Sequence, residues 1–250
     1  MTDLTGRVAV VTGSARGIGK AVAQRFASLG AAVVVNYAAD EDAAARTVGE
    51  IEEAGGRALA VRADVSSTQD LDALFARALE EFGRVDVVVS NAGVEVVGSP
   101  VLEATEEEFD RSYAVNAKGA FFTLQKGAKV LSDGGRLIHI GSSTVAGSHA
   151  GAGLYSSSKA GAVQLVRVLA VELGPRGITA NTILPTAVAG AGVFTGAQDG
   201  DEFHRANAVR PLGGRPGRPE DVADAAEYFA GELSGWVSGQ TLLVAGGLDR

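Results

Sequence analysis

Residues 8–19 read VAVVTGSARGIG, and this stretch decides the fold class. The run from Val8 to Val11 is short and wholly apolar, which is typical of a strand buried on both faces of a parallel sheet. A glycine-rich turn follows it, and an amphipathic helix follows the turn. A strand, a glycine turn and a helix in this order can present backbone N–H groups to the pyrophosphate of a dinucleotide.

The alternation of strand and helix continues along the chain. Apolar runs predict further strands at residues 32–37, 57–62, 85–89, 136–140, 178–184 and 240–244. Helical patterns lie between them, including residues 105–116 and 155–173. We therefore predict one domain over residues 1–250, an α/β Rossmann-type doubly wound parallel sheet of about seven strands with helices on both faces. Residues 186–215 lack sustained periodicity and are expected to form a substrate loop or lid.

Composition excludes several classes of function. The 250 residues carry a net charge of −8, which argues against nucleic-acid binding. The sequence contains no cysteine, and its three histidines lack metal-ligand spacing, so we expect no metal site. No apolar run approaches the roughly 20 residues of a membrane helix. The first strand begins within seven residues of Met1, which leaves no room for a signal peptide, and we expect a cytoplasmic protein.

The glycines of the turn follow the spacing Gly-x-x-x-Gly-x-Gly. Gly13 permits a tight turn, Gly17 lets a pyrophosphate approach the backbone, and Gly19 lets the helix pack on the strand. The alternative is a glycine turn without a ligand.

The end of the second strand bears on which nicotinamide cofactor is used. An acidic residue there would bind the ribose 2′-hydroxyl and repel a 2′-phosphate. This chain has Asn36 and Tyr37, and Asp40 lies too far along. Arg16 stands in the turn, where a guanidinium can bind a phosphate. The pattern favours NADP(H) over NAD(H), unless Arg16 only caps its own helix.

Tyr155 and Lys159 are four residues apart on a predicted helix and therefore project side by side. A nearby ammonium favours the phenolate, so we expect Lys159 to lower the pKa of Tyr155. Ser142 follows a predicted strand and can place a hydroxyl opposite the pair. The alternatives are a lysine extended over a packed tyrosine and a serine that caps the strand end.

The order and spacing of these motifs resemble the short-chain dehydrogenase/reductase family over the whole chain, and within it the reductases related to 3-oxoacyl-carrier-protein reductase. The resemblance to those reductases rests on Arg16, on Asn36-Tyr37 and on residues 238–241. The family motifs are Thr12-Gly-x3-Gly-x-Gly19, Asp64-Val65, Asn91-Ala92-Gly93, Asn116, Ser142, Tyr155-x3-Lys159 and Asn181-x3-Pro185.

The resemblance implies a catalytic set of four residues. Tyr155 would donate the proton in reduction, Lys159 would tune it and bind the nicotinamide ribose, and Ser142 would hold the substrate oxygen. Asn116 would interrupt its helix and fix a water that relays protons to Lys159. The cofactor-binding residues would be Gly13, Ser14, Arg16, Gly17, Ile18, Gly19, Asn36, Tyr37, Asp64, Val65, Asn91, Ala92, Gly93, Tyr155, Lys159, Pro185 and Val188.

The function implied is NADPH-dependent reduction of a ketone or aldehyde, either a 3-oxoacyl type or a small carbonyl. An NAD-dependent alcohol or sugar dehydrogenase is the alternative, and a non-catalytic cofactor-binding regulator is a third. Relatives imply a homotetramer or a dimer. Four positions depart from the family pattern: Ser90, Thr186, Gly190 and Ala245.

The substrate pocket is expected at residues that follow the ends of the fourth, fifth and sixth strands. Residues 189–192, which read AGAG, are either a hinge for the lid or passive slack. The pocket candidates are Ser142, Glu95, His149, Val193 and Phe194, with Val96, Ala150, Leu154 and Val188 as further wall residues.

Overall fold

A computed structural model describes residues 2–197 and 200–248. Residues 1, 249 and 250 of the predicted domain and residues 198 and 199 of the predicted lid lie outside the described residues. Seven strands form one parallel sheet. They are Val8–Val11 (β1), Ala32–Tyr37 (β2), Arg57–Arg62 (β3), Val87–Ser90 (β4), Arg136–Ile140 (β5), Thr179–Pro185 (β6) and Thr241–Val244 (β7).

The sheet has the strand order β3-β2-β1-β4-β5-β6-β7, which confirms the predicted doubly wound architecture. The chain builds outward from β1 to β3 and then returns to place β4 on the other side of β1. Val10 therefore pairs with Val34 of β2 and with Val88 of β4. The order reverses between β1 and β4, and a sheet of this kind binds ligands at the carboxyl ends of the strands beside that reversal.

Helices cover both faces of the sheet, as predicted. The helices are Gly17–Ser28 (α1), Glu41–Glu53 (α2), Thr68–Phe82 (α3), Glu106–Ser112 (α4), Ala120–Val130 (α5), Gly153–Leu173 (α6), Glu202–Asn207 (α7) and Pro219–Ala230 (α8). One face of the sheet packs on α1, α2 and α8, and the other on α3, α5 and α6, so each face has its own apolar core.

The helix predicted over residues 105–116 is wrong in its second half. Thr105 and Glu108 form a capping box at its start, but α4 ends at Ser112. A π-helix, Tyr113–Gly119, continues the chain and leads directly into α5. The wider turn accommodates Asn116, which is fully buried and hydrogen-bonded to the backbone of Val94. The expected interruption of the helix at Asn116 is therefore confirmed.

The segment from 186 to 215 contains more regular contacts than its composition indicates. Val188 pairs with Gly217 as an isolated parallel bridge. Gly192–Phe194 forms one 3₁₀ turn, and α7 is a short helix within the same segment. Stacked rings of Phe194 and Phe203, with centroids 4.2 Å apart, join these two elements.

Candidate active site

The turn between β1 and α1 is held rigidly from the second strand. Asn36 is buried, and its Oδ1 accepts a hydrogen bond from Gly13 N at 3.0 Å. Its amide Nδ2 donates to Val61 O at 3.2 Å and to Ala63 O at 3.0 Å. The Ser14 hydroxyl is also used within the protein, since it donates to Val11 O at 2.7 Å. Asn36 and Ser14 therefore shape the turn, and their side chains do not project from it.

Two glycines of the turn have no room for a side chain. A Cβ at Gly19 would lie 2.5 Å from Gly13 O and 2.6 Å from Asn91 Nδ2. A Cβ at Gly13 would lie 2.9 Å from Ala92 Cα, and Gly13 has a φ of 62°. The turn is thus a compact cradle of main-chain atoms in which α1 begins against the end of β4.

Arg16 lies on the open side of this cradle. Its side chain is exposed, caps no helix N–H group, and forms no hydrogen bond or ion pair with the described residues. The alternative that Arg16 serves to cap its own helix is therefore not supported. Tyr37, half-buried, ends β2 on the same edge of the sheet. A cation is thus available to a phosphate at this edge.

The residues after β4 are tied to the turn. Asn91 Nδ2 donates to Thr12 O at 2.8 Å, and the Thr12 hydroxyl accepts from the N–H groups of Asn91 and Ala92. Gly93 comes next, and a Cβ there would lie 2.7 Å from Lys159 Nζ. The absence of a side chain at 93 therefore lets Lys159 reach the strand end.

Asp64 and Val65 follow β3 at the same edge. The Asp64 carboxylate is exposed and accepts from both the amide and the hydroxyl of Ser66. Val65 is buried, and its Cγ2 would lie 2.9 Å from a Cβ on Gly119. The predicted cofactor residues thus gather on one edge, although their contacts with a cofactor stay predictions.

Asn116 connects the strand ends to α6. Its Oδ1 accepts from Val94 N at 2.9 Å, while Nδ2 donates to Val94 O at 2.8 Å and to Ser158 Oγ at 2.9 Å. Both amide protons are therefore used by protein groups. Asn116 positions the loop after β4 against α6, and the predicted water relay stays a prediction.

Tyr155, Lys159 and Ser142 come together as predicted. Lys159 Nζ lies 6.0 Å from the centre of the Tyr155 ring and donates to Ile140 O at 3.4 Å. Ser142 is buried at the end of β5, and its hydroxyl is close enough to Tyr155 to influence the pKa of the phenol. Ser142 Oγ also accepts from Thr144 N at 3.3 Å, so it caps the following 3₁₀ turn as well.

The predicted lowering of the Tyr155 pKa is wrong for this chain. Burial, together with the negative charge of Glu95, raises the pKa of Tyr155 to about 12, although the Ser142 hydroxyl acts in the opposite direction. Burial penalises the charged phenolate more than nearby groups favour it. Tyr155 therefore holds its proton across the neutral range.

Lys159 is buried among few compensating charges. Burial lowers the pKa of Lys159 to about 8, and Glu95 opposes the shift. Below that pH the side chain is an ammonium within the site. Sequence reasoning missed a second buried base, His139, whose pKa burial and then the charge of Lys159 lower to about 3. A histidine inside an otherwise apolar strand is the signal that could have identified it, and it is neutral at pH 7.

Glu95 joins the loop after β4 to the segment after β6. Its Oε2 accepts from Val193 N at 3.0 Å, and a Cβ on Gly192 would overlap that oxygen. Phe194 lies one residue further and stacks on Phe203. Of the predicted pocket residues, Glu95, Val193 and Phe194 thus share one contact region. His149 is exposed on a different loop, after β5, and makes no hydrogen bond from its ring to the described residues.

The segment after β6 also covers the glycine turn. A Cβ on Gly17 would lie 3.4 Å from the Ala191 Cβ, and Ala191 is buried. Gly190 has a φ of 76°, and its amide donates to Phe194 O at 3.0 Å. Residues 189–192 are therefore an ordered turn over the cradle, which argues against passive slack.

Arg210 is a residue that sequence reasoning missed altogether. It is buried and donates to Asn207 Oδ1, Ala245 O and Thr186 Oγ1 at 2.7–2.9 Å. Two of the four departures from the family pattern, Thr186 and Ala245, therefore meet on one guanidinium. Pro185 and Val188, which flank Thr186 in the sequence, are also buried. Arg210 is one of several arginines in a glycine- and proline-rich stretch, and no sequence signal distinguishes it for such a role.

Among residues 2–197 and 200–248, no group of three or more histidine and carboxylate side chains could hold a metal ion. Within the same ranges, every helix is too short or too polar to cross a membrane.

Fold and site together define a Rossmann-type oxidoreductase. Residues 13–249 match a family model described as enoyl-(acyl carrier protein) reductase. A short-chain dehydrogenase/reductase of Pestalotiopsis microspora is 39% identical over 257 residues, which cover 98% of this chain and 96% of that protein. The chain belongs to the short-chain dehydrogenase/reductase family.

Two solved structures are similar over nearly the whole chain. The angucycline C-6 ketoreductase LanV, with bound NADP, is 36% identical with a TM-score of 0.90, and the match covers 98% of this chain and 96% of that one. The promiscuous reductase LugOII, which catalyses keto-reduction at C1 during lugdunomycin biosynthesis, is 38% identical with a TM-score of 0.90, covering 98% and 99%.

Proposed function

We propose that this protein is an NADPH-dependent reductase of a ketone or aldehyde. One observation carries the proposal: a protonated tyrosine, a buried lysine and a buried serine converge beside the glycine cradle. Tyr155 retains its proton because burial raises its pKa to about 12. A group that stays protonated at neutral pH serves reduction, which requires a proton donor, better than oxidation, which requires a base.

The residues of the cradle fit a nicotinamide dinucleotide. Gly13, Gly17 and Gly19 add no side chains to the turn that leads into α1, and the N-terminal end of such a helix suits a pyrophosphate. Asp64, Val65 and the loop after β4 would hold the adenosine and nicotinamide halves, as the family resemblance implies. Pro185 and Val188 would border the nicotinamide.

The choice of NADPH rests on charge. Arg16 is exposed and its side chain forms no hydrogen bond or ion pair within the described part of the chain, and the neutral Tyr37 ends β2 where an acidic residue would repel a 2′-phosphate. LanV binds NADP and is 36% identical. These observations favour NADPH over NADH.

The chain's own groups would handle the substrate oxygen and the proton. The cofactor, when bound, supplies the hydride for the carbonyl carbon. Ser142 Oγ donates a hydrogen bond to the carbonyl oxygen, a contact worth about 2–4 kcal/mol on the scale of single oxyanion donors. Tyr155 donates its proton to that oxygen as negative charge develops there.

Lys159 would support the proton transfer electrostatically. Its ammonium favours the tyrosinate that forms as the proton leaves, and it lies next to Gly93 where the loop after β4 meets α6. Asn116 fixes the position of the loop after β4 relative to α6, since its side-chain amide is hydrogen-bonded to both Val94 and Ser158. The predicted water bound near Asn116 would return a proton to Lys159.

The substrate class is a carbonyl compound of 3-oxoacyl type or a small ketone. The two similar structures are ketoreductases, so an angucycline ketone belongs beside these in any substrate panel. Residues 186–215 would form the lid, because they cover the cradle through Ala191 and contact the loop after β4 through Glu95.

A homotetramer is proposed on the apolar side chains that the described chain leaves exposed. Val171 is 79% exposed on α6, and Trp236 is fully exposed before β7. Phe121 on α5 and Leu242 on β7 are partly exposed. These side chains lie on two separate surfaces, the α5–α6 face and the edge of the sheet at β7. Two separate apolar surfaces favour two kinds of subunit contact over one.

Cofactor binding and turnover, both measured on one preparation, test the proposed function. The dissociation constants of NADPH and NADH are measured by fluorescence titration, and oxidation of NADPH is followed with a 3-oxoacyl thioester, small ketones, aldehydes and an angucycline ketone. The proposal expects tighter NADPH binding and turnover of at least one carbonyl. Tighter binding of NADH, with turnover only of alcohols or sugars, would favour the dehydrogenase alternative. Cofactor binding without any turnover would favour the regulator.

A further inference from the structure

Glu95 occupies an unusual place for a carboxylate. It follows Gly93, where a Cβ would lie 2.7 Å from Lys159 Nζ, and Val94, whose backbone is hydrogen-bonded to Asn116. The side chain is half-buried, and its negative charge acts to raise the pKa of both Tyr155 and Lys159. A negative charge therefore lies at the edge of the position where the substrate carbonyl would bind.

The same carboxylate holds the opposite wall of the site. Its Oε2 accepts from Val193 N at 3.0 Å, a contact that spans 98 residues of sequence. Gly192 brings its backbone so close that a Cβ would overlap Oε2. The second oxygen, Oε1, accepts no hydrogen bond from the part of the chain that the structure describes. Oε2 therefore holds the segment after β6 at Val193, and Oε1 is available to accept a hydrogen bond from a substrate.

We propose that Glu95 is a specificity-determining residue, whose carboxylate excludes substrates with a negative charge near the reacting carbonyl and selects those with a hydroxyl there. This inference rests on the proposed reductase function. Like charges a few ångströms apart in a partly desolvated site repel strongly, whereas a hydroxyl can donate to the free Oε1. The preferred substrate class is thus an uncharged hydroxyketone, and a 3-oxo acid is a poor substrate.

Two matched pairs of substrates test the charge and the hydrogen bond separately. Ethyl acetoacetate and acetoacetate differ in a negative charge, and a hydroxytetralone and tetralone differ in a hydroxyl. The quantity measured is the ratio of kcat/KM within each pair, with NADPH saturating. The parent protein is expected to prefer the ester and the hydroxyketone.

Glu95→Gln keeps the shape of the side chain and its ability to accept from Val193 N, but removes the charge. The preference for ester over acid should fall about tenfold, the effect of removing one repulsion of roughly 1.4 kcal/mol. Glu95→Asp keeps the charge and shortens the reach, so it should retain the preference for the ester. The matched control is Glu107→Gln, which removes an exposed charge on α4 and should leave both ratios unchanged.

The outcomes distinguish this inference from the function on which it rests. Turnover by the parent with ratios that Glu95→Gln does not change would overturn the role of Glu95 alone. No NADPH-dependent turnover of either pair, or of the wider carbonyl panel, would overturn the reductase proposal and this inference with it. The Kd for NADPH of each variant reports whether the cofactor site is intact.

Discussion

The glycine cradle and the lid segment lie in contact, yet they are held in opposite ways. In the cradle, Gly13 and Gly19 are enclosed by main-chain atoms, and the buried Asn36 is satisfied by three backbone partners from neighbouring strands. In residues 186–215, Gly190 has open space around its Cα, and single long-range contacts such as Glu95 with Val193 fix the conformation. The cradle is therefore intolerant of change, and the lid segment is adjustable.

The largest effect is expected for Gly19→Ala. The new methyl group would lie 2.5 Å from Gly13 O, and neither α1 nor β4 can move away without breaking the cradle. Overpacking of this kind costs about 1–3 kcal/mol, and NADPH binding should be lost. Urea denaturation and cofactor titration measure the two effects. Gly49→Ala is the matched control, because that helical glycine has open space, and it should stabilise the protein by about 0.5–1 kcal/mol. Equal stability of the two variants would contradict the rigid cradle.

Lys159→Met is expected to change activity and stability in opposite directions. Burial lowers the pKa of Lys159 from 10.5 to about 8, so the folded protein carries a cost for the charged form at neutral pH. The variant should lose activity and gain up to about 3 kcal/mol of stability at pH 7.

The sign of the pH dependence gives a second check on Lys159. The unfolded chain binds more protons than the folded one between pH 8 and 10.5, so stability of the parent should rise with pH across this window. The variant should lack this rise. Denaturation midpoints at several pH values measure this rise in stability. Identical pH dependences for the two proteins would show that folding does not lower the pKa of Lys159.

Arg210→Met tests how the lid segment is anchored. The substitution removes three hydrogen bonds that join α7, Thr186 and Ala245, and it should cost about 2 kcal/mol because it leaves Asn207 Oδ1, Ala245 O and Thr186 Oγ1 without their donor. Amide exchange should accelerate in residues 186–215 while the β1–α1 turn keeps its protection. The exposed Arg205→Met, which removes one hydrogen bond to Gly200 O, is the control. Faster exchange in the cradle as well would show that the cradle and the lid segment are not stabilised independently.

Gly190→Ala should have the smallest effect. The site has space for a methyl group, but its φ of 76° disfavours any side chain by about 1 kcal/mol. We expect KM for the carbonyl substrate to change and the Kd for NADPH to stay the same. A loss of NADPH affinity as large as that of Gly19→Ala would show that this glycine belongs to the cradle.

The same contrast explains what the sequence could predict. The glycine turn, the positions of the strands and the proximity of Tyr155 to Lys159 follow from local patterns, because each depends on spacing within one strand, turn or helix. The helix predicted over residues 155–173 agrees with α6 to within two residues, whereas the one predicted over residues 105–116 ends at Ser112 and continues as a π-helix. Within that π-helix, Asn116 is hydrogen-bonded to Val94. A long-range hydrogen bond of that kind leaves no trace in periodicity.

The sign of the Tyr155 pKa shift could not be read from the sequence. Spacing placed Lys159 near the phenol, but the shift depends on how much water reaches the hydroxyl and on where Glu95 lies, and both are set by the tertiary fold. Arg210 was missed for a similar reason, since its three partners come from residues 186, 207 and 245. Contacts between distant segments define the lid, whereas local pattern defines the cradle.

The central claim is that Tyr155 is the proton donor in a carbonyl reduction that NADPH drives. Its most direct test is single-turnover oxidation of NADPH by Tyr155→Phe with the best carbonyl of the panel, alongside the Kd for NADPH. The account predicts that the rate falls at least about a hundredfold, in line with the loss of a general acid, while NADPH binds as tightly as it does to the parent. A variant that oxidises NADPH at the parental rate would contradict it.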